Sequence, residues 1–134
     1  MNGLVRQLVR FGLVGLVNTS VGLLAIYALM YVFQVSPGFA NAGGYALGLC
    51  ISFLLNRDWT FQDNSKICQT LPRYLAVAAV CYSLNLAIVL SAVHMLGIDP
   101  YVAQLLGIVA YTACMFVGCR LFVFGARTSH TNTI

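Results

Sequence analysis

The chain alternates between long apolar stretches and short polar connections. Four stretches are almost free of charged residues, at about residues 11–33, 39–56, 74–96 and 101–122. At about 1.5 Å per residue, each is long enough to cross a hydrocarbon core of about 30 Å, although the second is borderline without its flanks. The pattern predicts an all-α integral membrane protein, with four transmembrane helices in a single membrane domain over residues 1–134.

Two of the connections contain a proline in a position that is typical of a helix start. Ser36 precedes Pro37, and Asp99 precedes Pro100. Ser and Asp side chains cap helix N-termini, and Pro is favoured at the first helical position. These turns predict two helical hairpins, which are joined by a polar connection over residues 56–73.

The composition agrees with a membrane protein. Apolar residues make up 60% of the chain and charged residues only 7%, whereas a soluble domain carries roughly 25% charged residues. The net charge is +4, but no nucleic acid partner is predicted, because the position of the cations along the chain accounts for this charge better.

Four crossings put every cation on one side of the membrane: Arg6, Arg10, Arg57, Lys66, Arg73, Arg120 and Arg127. Cations in short loops stay cytoplasmic, so both termini are expected in the cytoplasm.

The two hairpins are related by an internal repeat with an offset of 63 residues. This offset aligns, without a gap, Arg10 with Arg73, Pro37 with Pro100, Gly44 with Gly107, Arg57 with Arg120 and Phe61 with Phe124. A unit of two spans returns to its starting side, so the two copies are parallel. Matching arginines are therefore expected at the same depth in the membrane.

Arginines form the strongest candidate binding site. The topology predicts that four of them gather at the cytoplasmic ends of the helices: Arg10, Arg57, Arg73 and Arg120. A guanidinium group presents planar, forked donors that match phosphate oxygens, which suggests a phosphate or pyrophosphate ligand at headgroup level. The alternative is that these residues only determine topology and extend to lipid phosphates.

Polar side chains inside the spans form a second candidate group. Asn18 and Thr19 lie in the first span, and Ser83 and Asn85 lie in the third, at similar depth according to the repeat. A polar group in hydrocarbon needs a hydrogen-bond partner. These residues therefore either line a path for a sugar or join helices through interhelical hydrogen bonds.

The second span carries small residues at every fourth position, at Ala40, Gly44, Gly48 and Ser52. Such a stripe lets another backbone approach closely. Packing within the chain is the more common use, and a dimer interface is the alternative. Within the chain, the facing groove is expected from glycines of the first span: Gly12, Gly15 and Gly22.

Several classes of function have no support in the sequence. The predicted spans contain no Asp or Glu, which disfavours a proton-coupled exporter, because that mechanism uses a buried carboxylate. No P-loop, dinucleotide glycine motif, zinc-protease motif or nucleophile elbow occurs, so ATP-driven pumping and hydrolysis are not predicted. We expect a protein that is not an enzyme and that uses no cofactor and no metal ion.

Two motifs resemble the GtrA-like family of small four-span membrane proteins. They are R-F-G-x-x-G-x-x-N-T at residues 10–19 and F-x-x-N-R-x-W-x-F at residues 53–61. The resemblance extends over residues 6–124. Ser52 and Cys119 stand where the family often has Asn.

This resemblance implies a function in the bacterial inner membrane. The implied activity is translocation of a polyprenyl-phosphate-linked sugar, such as undecaprenyl-phosphate glucose, for modification of O-antigen or another envelope polysaccharide. The implied partners are the lipid-linked sugar, membrane lipids and a membrane glycosyltransferase. Four helices can barely enclose a hexose, so a homodimer is plausible. The alternative function is a non-transporting membrane adaptor that anchors or organises the glycosyltransferase.

Translocation would require residues for the phosphate and for the sugar. Arg57 and Arg120, helped by Arg10 and Arg73, are expected to bind the phosphate. The residues expected to contact the sugar combine the polar span residues with two from the second motif: Asn18, Thr19, Ser83, Asn85, Asn56 and Trp59.

Overall fold

The protein is an all-α, multi-pass membrane protein, as predicted. The computed structural model describes residues 2–125. Its α-helices are α1 (Gly3–Tyr31), α2 (Pro37–Leu55), α3 (Ile67–His94) and α4 (Pro100–Gly118). Two π-helical turns continue α2 and α4 directly, the first π turn (Asn56–Thr60) and the second π turn (Cys119–Val123). With these turns included, four helices are long and apolar enough to cross a membrane. Arg127, one of the cations assigned to the cytoplasmic side, lies outside the described residues.

The helices form two compact units, which are divided between Asn64 and Ser65. α1 packs against α2 and the first π turn in one unit, and α3 packs against α4 and the second π turn in the other. We call them the first hairpin and the second hairpin. The division falls at the boundary between the two copies of the internal repeat.

The boundaries of α2, α4 and the two π turns follow the internal repeat. α2 begins at Pro37 and α4 at Pro100, and the π turns begin at Asn56 and Cys119. Each pair is separated by the same 63 residues that align the arginines. The two copies have therefore kept one backbone plan, including its irregular part.

Both hairpins reverse direction through one residue in the left-handed conformation. The φ angle is 55° at Gln34 and 63° at Gly97. In the first hairpin the next amide, that of Val35, donates to the carbonyl of Leu29 at 2.9 Å, and the second hairpin repeats this bond. Such a turn satisfies carbonyls at the helix end that have no partner within the helix.

The second helix of each hairpin begins at a proline, as predicted, but only one has a side-chain cap. The Asp99 carboxylate accepts hydrogen bonds from the amides of Tyr101 at 2.9 Å and Val102 at 3.4 Å. The Ser36 side chain makes no capping hydrogen bond, so the predicted serine cap is wrong.

A shorter polar connection than predicted joins the hairpins. The sequence suggested residues 56–73, but the first π turn continues to Thr60 and α3 starts at Ile67. Pro72 lies inside α3, where it removes one backbone hydrogen bond near the helix start. α1 likewise begins at Gly3, well before its apolar stretch. Loss of hydrophobicity marks the end of the hydrocarbon layer, and these helices continue past it.

The small-residue stripe of α2 packs against α1, so its role within the chain is confirmed. A Cβ atom added to Gly44 would lie 3.0 Å from the carbonyl oxygen of Gly22, and one added to Gly48 would lie 2.5 Å from Asn18 Oδ1. Close approach of the α1 backbone therefore requires glycine at position 44, and the packed Asn18 side chain leaves no room for a Cβ atom at position 48. The predicted facing groove was partly wrong, because an added Cβ would meet nothing within 4 Å at two of its glycines: Gly12 and Gly15.

Large apolar side chains are exposed along all four helices. Examples are Leu24, Tyr45, Val80 and Val109. Exposed apolar area of this extent is unfavourable in water and suits contact with lipid chains.

Candidate functional site

Each hairpin ends in a π turn that carries an arginine. In the first, the amide of Phe61 donates to the carbonyl of Asn56 at 2.8 Å, and in the second the amide of Phe124 donates to the carbonyl of Cys119 at 2.9 Å. These bonds span five residues where an α-helix spans four, so the turn is wider and rotates the side chains that follow. The second residue of each turn is an arginine: Arg57 and Arg120.

Arg10 joins the start of α1 to the first π turn. Its NH1 group donates a hydrogen bond of 2.7 Å to the backbone carbonyl of Trp59. Its guanidinium carbon also lies 5.2 Å from the centroid of the Trp59 ring, which is within the range of a cation–π interaction. The neighbouring rings of Phe11 and Phe61 make an edge-to-face contact at 6.3 Å. Arg10 and Trp59, both predicted as ligand-binding residues, are therefore in direct contact.

Arg57 is largely covered by protein and is paired with its neighbour in sequence. Its side chain is 17% exposed, and NH1 lies 2.5 Å from the carboxylate of Asp58, whose side chain is 60% exposed. Arg57 is a partly neutralised cation beside the Arg10–Trp59 contact.

The second hairpin repeats this arrangement in its backbone but not in its side chains. Arg73 and Arg120 are exposed, on α3 and in the second π turn respectively, and these two elements pack together. Leu121 and Phe122 occupy the positions that correspond to Asp58 and Trp59. The second arginine pair therefore lacks the carboxylate and the indole of the first.

Asn18 and Asn56, both predicted to bind sugar, lie in the first hairpin, Asn18 on the contact of α1 with α2 and Asn56 at the start of the first π turn. Asn56 is 1% exposed, and its Nδ2 donates to the Ser52 hydroxyl at 3.2 Å. Asn18 is half-buried, and its Oδ1 faces Gly48. The amide oxygens of both residues are buried and have no hydrogen-bond partner within residues 2–125.

The other predicted sugar-binding residues have different surroundings. Thr19 is exposed beside Asn18 on α1. Ser83 is exposed, and its hydroxyl donates to the Ala79 carbonyl of its own helix at 2.9 Å. Asn85 is half-buried, and a Cβ added to Gly107 of α4 would lie 2.7 Å from its Nδ2. The role of all these residues in sugar binding stays a prediction.

Two further polar residues were missed in the sequence. Gln7 Oε1 and Thr60 Oγ1 are also buried and have no hydrogen-bond partner in the described part of the chain. Thr60 follows Asn56 by four residues, and Gln7 precedes Asn18 by eleven, spacings that keep residues on one helix face. This periodicity is a usable signal, but both residues lie outside the apolar stretches: Gln7 precedes the first stretch, and Thr60 lies in the predicted polar connection.

The comparison with known families agrees with the two motifs. A family model described as GtrA/DPMS, transmembrane domain, matches residues 10–124. The chain belongs to this family. The GtrA/DPMS match includes most of α1, all the later helices and both π turns, and the family is associated with the translocation of lipid-linked sugars. No curated protein and no solved structure matches the chain.

Proposed function

We propose that this protein moves a polyprenyl-phosphate-linked sugar, such as undecaprenyl-phosphate glucose, from the cytoplasmic to the outer leaflet of a bacterial inner membrane. The observation that carries the proposal is the arginine-bearing π turn at the end of each hairpin, within a GtrA/DPMS transmembrane domain. The product would serve the synthesis of an envelope polysaccharide.

The arginines supply what a lipid phosphate needs at the membrane surface. Each hairpin carries one arginine on its first helix and one in its π turn, namely Arg10 and Arg57 in the first hairpin and Arg73 and Arg120 in the second. A pair of guanidinium groups can replace the water around a phosphate with charge-assisted hydrogen bonds. Phosphate binding at the hairpin ends would leave the polyprenyl chain in lipid, against the exposed apolar faces.

Transport in this scheme runs downhill. A charged headgroup in hydrocarbon is costly, so polar protein groups must replace water along its path. The sequence contains no ATP-binding motif and no carboxylate within the predicted apolar stretches. Consumption of the sugar on the far side would then keep the flow in one direction. A membrane glycosyltransferase would supply the lipid-linked sugar on the near side.

The rival is an adaptor that organises the glycosyltransferase without transport. Transport and the adaptor function are distinguished by an exchange assay. The purified protein is reconstituted in liposomes with labelled undecaprenyl-phosphate glucose, and the exchange of this lipid between the two leaflets is measured. We expect wild type to accelerate exchange, and Arg57→Ala with Arg120→Ala to lose most of the acceleration. Arg6→Ala removes an exposed arginine of α1 and serves as the control. If wild type gives no acceleration, or the double variant matches it, the transport proposal fails.

A further inference from the structure

Buried oxygens without a hydrogen-bond partner are confined to one hairpin. Within residues 2–125 they belong to Gln7, Asn18, Asn56 and Thr60. Asn56 is 1% exposed and Thr60 is 2% exposed. No side-chain oxygen of this kind occurs in the described part of the second hairpin. A buried polar atom without a partner is unfavourable, so its presence needs a reason.

These residues share one line of contact between two helices. Gln7 and Asn18 lie on the same face of α1 as its buried residues, Phe11 and Val14. Ser52, Asn56 and Thr60 follow one another at four-residue spacing along α2 and the first π turn. Asn18 packs on Gly48, and the Arg10–Trp59 hydrogen bond closes the other end of the line. We call this set the polar seam: Gln7, Asn18, Ser52, Asn56 and Thr60.

The second hairpin shows that the fold does not need a polar seam. The residues 63 positions later are Thr70, Cys81, Met115, Cys119 and Val123. Cys81, Cys119, Met115 and Val123 are buried there, and the Thr70 hydroxyl donates to the Lys66 carbonyl of its own helix at 3.3 Å. The second hairpin thus forms the corresponding contact between its two helices with sulfur and methyl groups in place of polar ones. Packing alone does not explain the polar residues of the first hairpin.

The atoms of the polar seam match a neutral, hydroxyl-rich ligand. Amide oxygens accept hydrogen bonds, and the threonine hydroxyl both donates and accepts, so a row of alcohol groups can satisfy all of them. No Asp, Glu, Lys or Arg belongs to the seam, which suits an uncharged group better than a phosphate. The arginines lie at its end, where the phosphate of the same molecule would bind.

We propose that the polar seam binds the sugar of the lipid-linked substrate and that the first hairpin alone carries this site. The inference rests on the proposed function and assigns different roles to the two copies of the repeat. The first hairpin recognises the sugar, and the second contributes its arginines and its lipid-facing surface. Gln7 and Thr60 belong to the site, whereas Thr19 and Ser83 do not.

Access to the seam begins at Arg10. The oxygens are covered in the structure, so sugar hydroxyls reach them when α1 separates from the first π turn. The Arg10–Trp59 hydrogen bond and the Phe11–Phe61 contact hold these elements together. A phosphate that draws the Arg10 guanidinium away from Trp59 removes one of the contacts between α1 and the first π turn. Phosphate binding is thereby coupled to entry of the sugar.

The repeat supplies matched variants for the test. Asn56→Cys with Thr60→Val places the second hairpin's own residues in the first, and Cys119→Asn with Val123→Thr does the reverse. Trp59 is the single tryptophan of the chain, so its fluorescence reports binding in the first hairpin. Affinities are measured for undecaprenyl phosphate and for undecaprenyl-phosphate glucose.

We expect wild type to bind the glucose-bearing lipid about tenfold more tightly than the sugar-free lipid, as one or two net hydrogen bonds would give. In Asn56→Cys with Thr60→Val this ratio falls to about 1, while the affinity for undecaprenyl phosphate is unchanged. The reverse variant keeps the wild-type ratio.

An unchanged ratio in Asn56→Cys with Thr60→Val overturns the inference. So does an equal loss of both affinities, because that indicates a structural role. Asn18→Cys, a single change to the residue present in the second hairpin, gives an independent measurement if the double variant does not fold. Absence of leaflet exchange by wild type would refute the proposed function separately, since the binding ratio does not depend on transport.

Discussion

Arg10 donates a hydrogen bond of 2.7 Å to the backbone carbonyl of Trp59, 49 residues away in sequence. This contact ties the start of α1 to the first π turn, where Arg57 also lies. It places a cation, an indole ring and an irregular helix end in one small region.

The first prediction concerns the Arg10–Trp59 contact. Arg10→Lys keeps the charge but loses the planar group that stacks on the ring and forms the directed hydrogen bond. We expect a loss of about 1 kcal/mol in the free energy of unfolding in detergent, and Trp59 emission shifted to longer wavelength. Arg6→Lys is the control and leaves both unchanged. Identical emission of Arg10→Lys and wild type would contradict the contact.

The second prediction concerns the charge of Asp58, which partly neutralises Arg57. Asp58→Asn removes the negative charge that competes with a lipid phosphate for the Arg57 guanidinium. Exposed ion pairs are worth at most about 1 kcal/mol, so we expect undecaprenyl phosphate to bind about two- to fivefold more tightly. Asp99→Asn, in the turn at the other end of the second hairpin, leaves the affinity as it is. Weaker binding by Asp58→Asn would show that Arg57 does not meet the phosphate.

The third prediction concerns the close approach of α1 and α2. An added Cβ at Gly44 would overlap the Ile26 side chain and lie 3.0 Å from the Gly22 carbonyl oxygen. Because a backbone atom cannot yield easily, Gly44→Ala should destabilise the protein by about 1–3 kcal/mol, seen as a lower thermal midpoint in detergent.

A matched glycine on α1 provides the control. Gly15→Ala meets nothing within 4 Å and should be neutral, or stabilising by up to about 1 kcal/mol through helix propensity. Equal midpoints for Gly44→Ala and Gly15→Ala would contradict the packing described for the first hairpin.

The fourth prediction uses the two helix starts. Asp99→Ala removes a side chain that caps two amides of α4 and should cost about 1 kcal/mol of stability. Ser36→Ala at the matched position removes no capping bond and should change the thermal midpoint by less than a quarter as much. Equal losses in the two variants would indicate that Ser36 caps α2 after all.

Local sequence predicted much of the fold because transmembrane helices form from local information. About 20 apolar residues specify a span whatever its neighbours are, since every backbone hydrogen bond is made within the helix. Pro37 and Pro100 likewise identified the starts of α2 and α4. The repeat followed from matched residues such as Arg57 and Arg120, whose counterparts occupy equivalent backbone positions.

The candidate site was only partly visible in the sequence. Asn18 and Asn56 were recognised because amides are conspicuous among apolar residues or lie in a motif. Gln7 and Thr60 were overlooked because polar residues near helix ends are ordinary. Ser83 was included, although its hydroxyl bonds within its own helix.

The pattern of apolar residues therefore determined the four membrane-spanning helices, and the matched residues 63 positions apart determined that the two halves are copies. Packing decided which polar atoms are buried without partners, where the helices widen into π turns, and that Arg10 reaches Trp59. The physical reason is that a lipid-facing helix is apolar on every side, so its hydrophobic pattern does not indicate which face meets another helix. That choice depends on the shapes that fit together, such as Asn18 over Gly48, and these shapes exist only once two helices have come into contact.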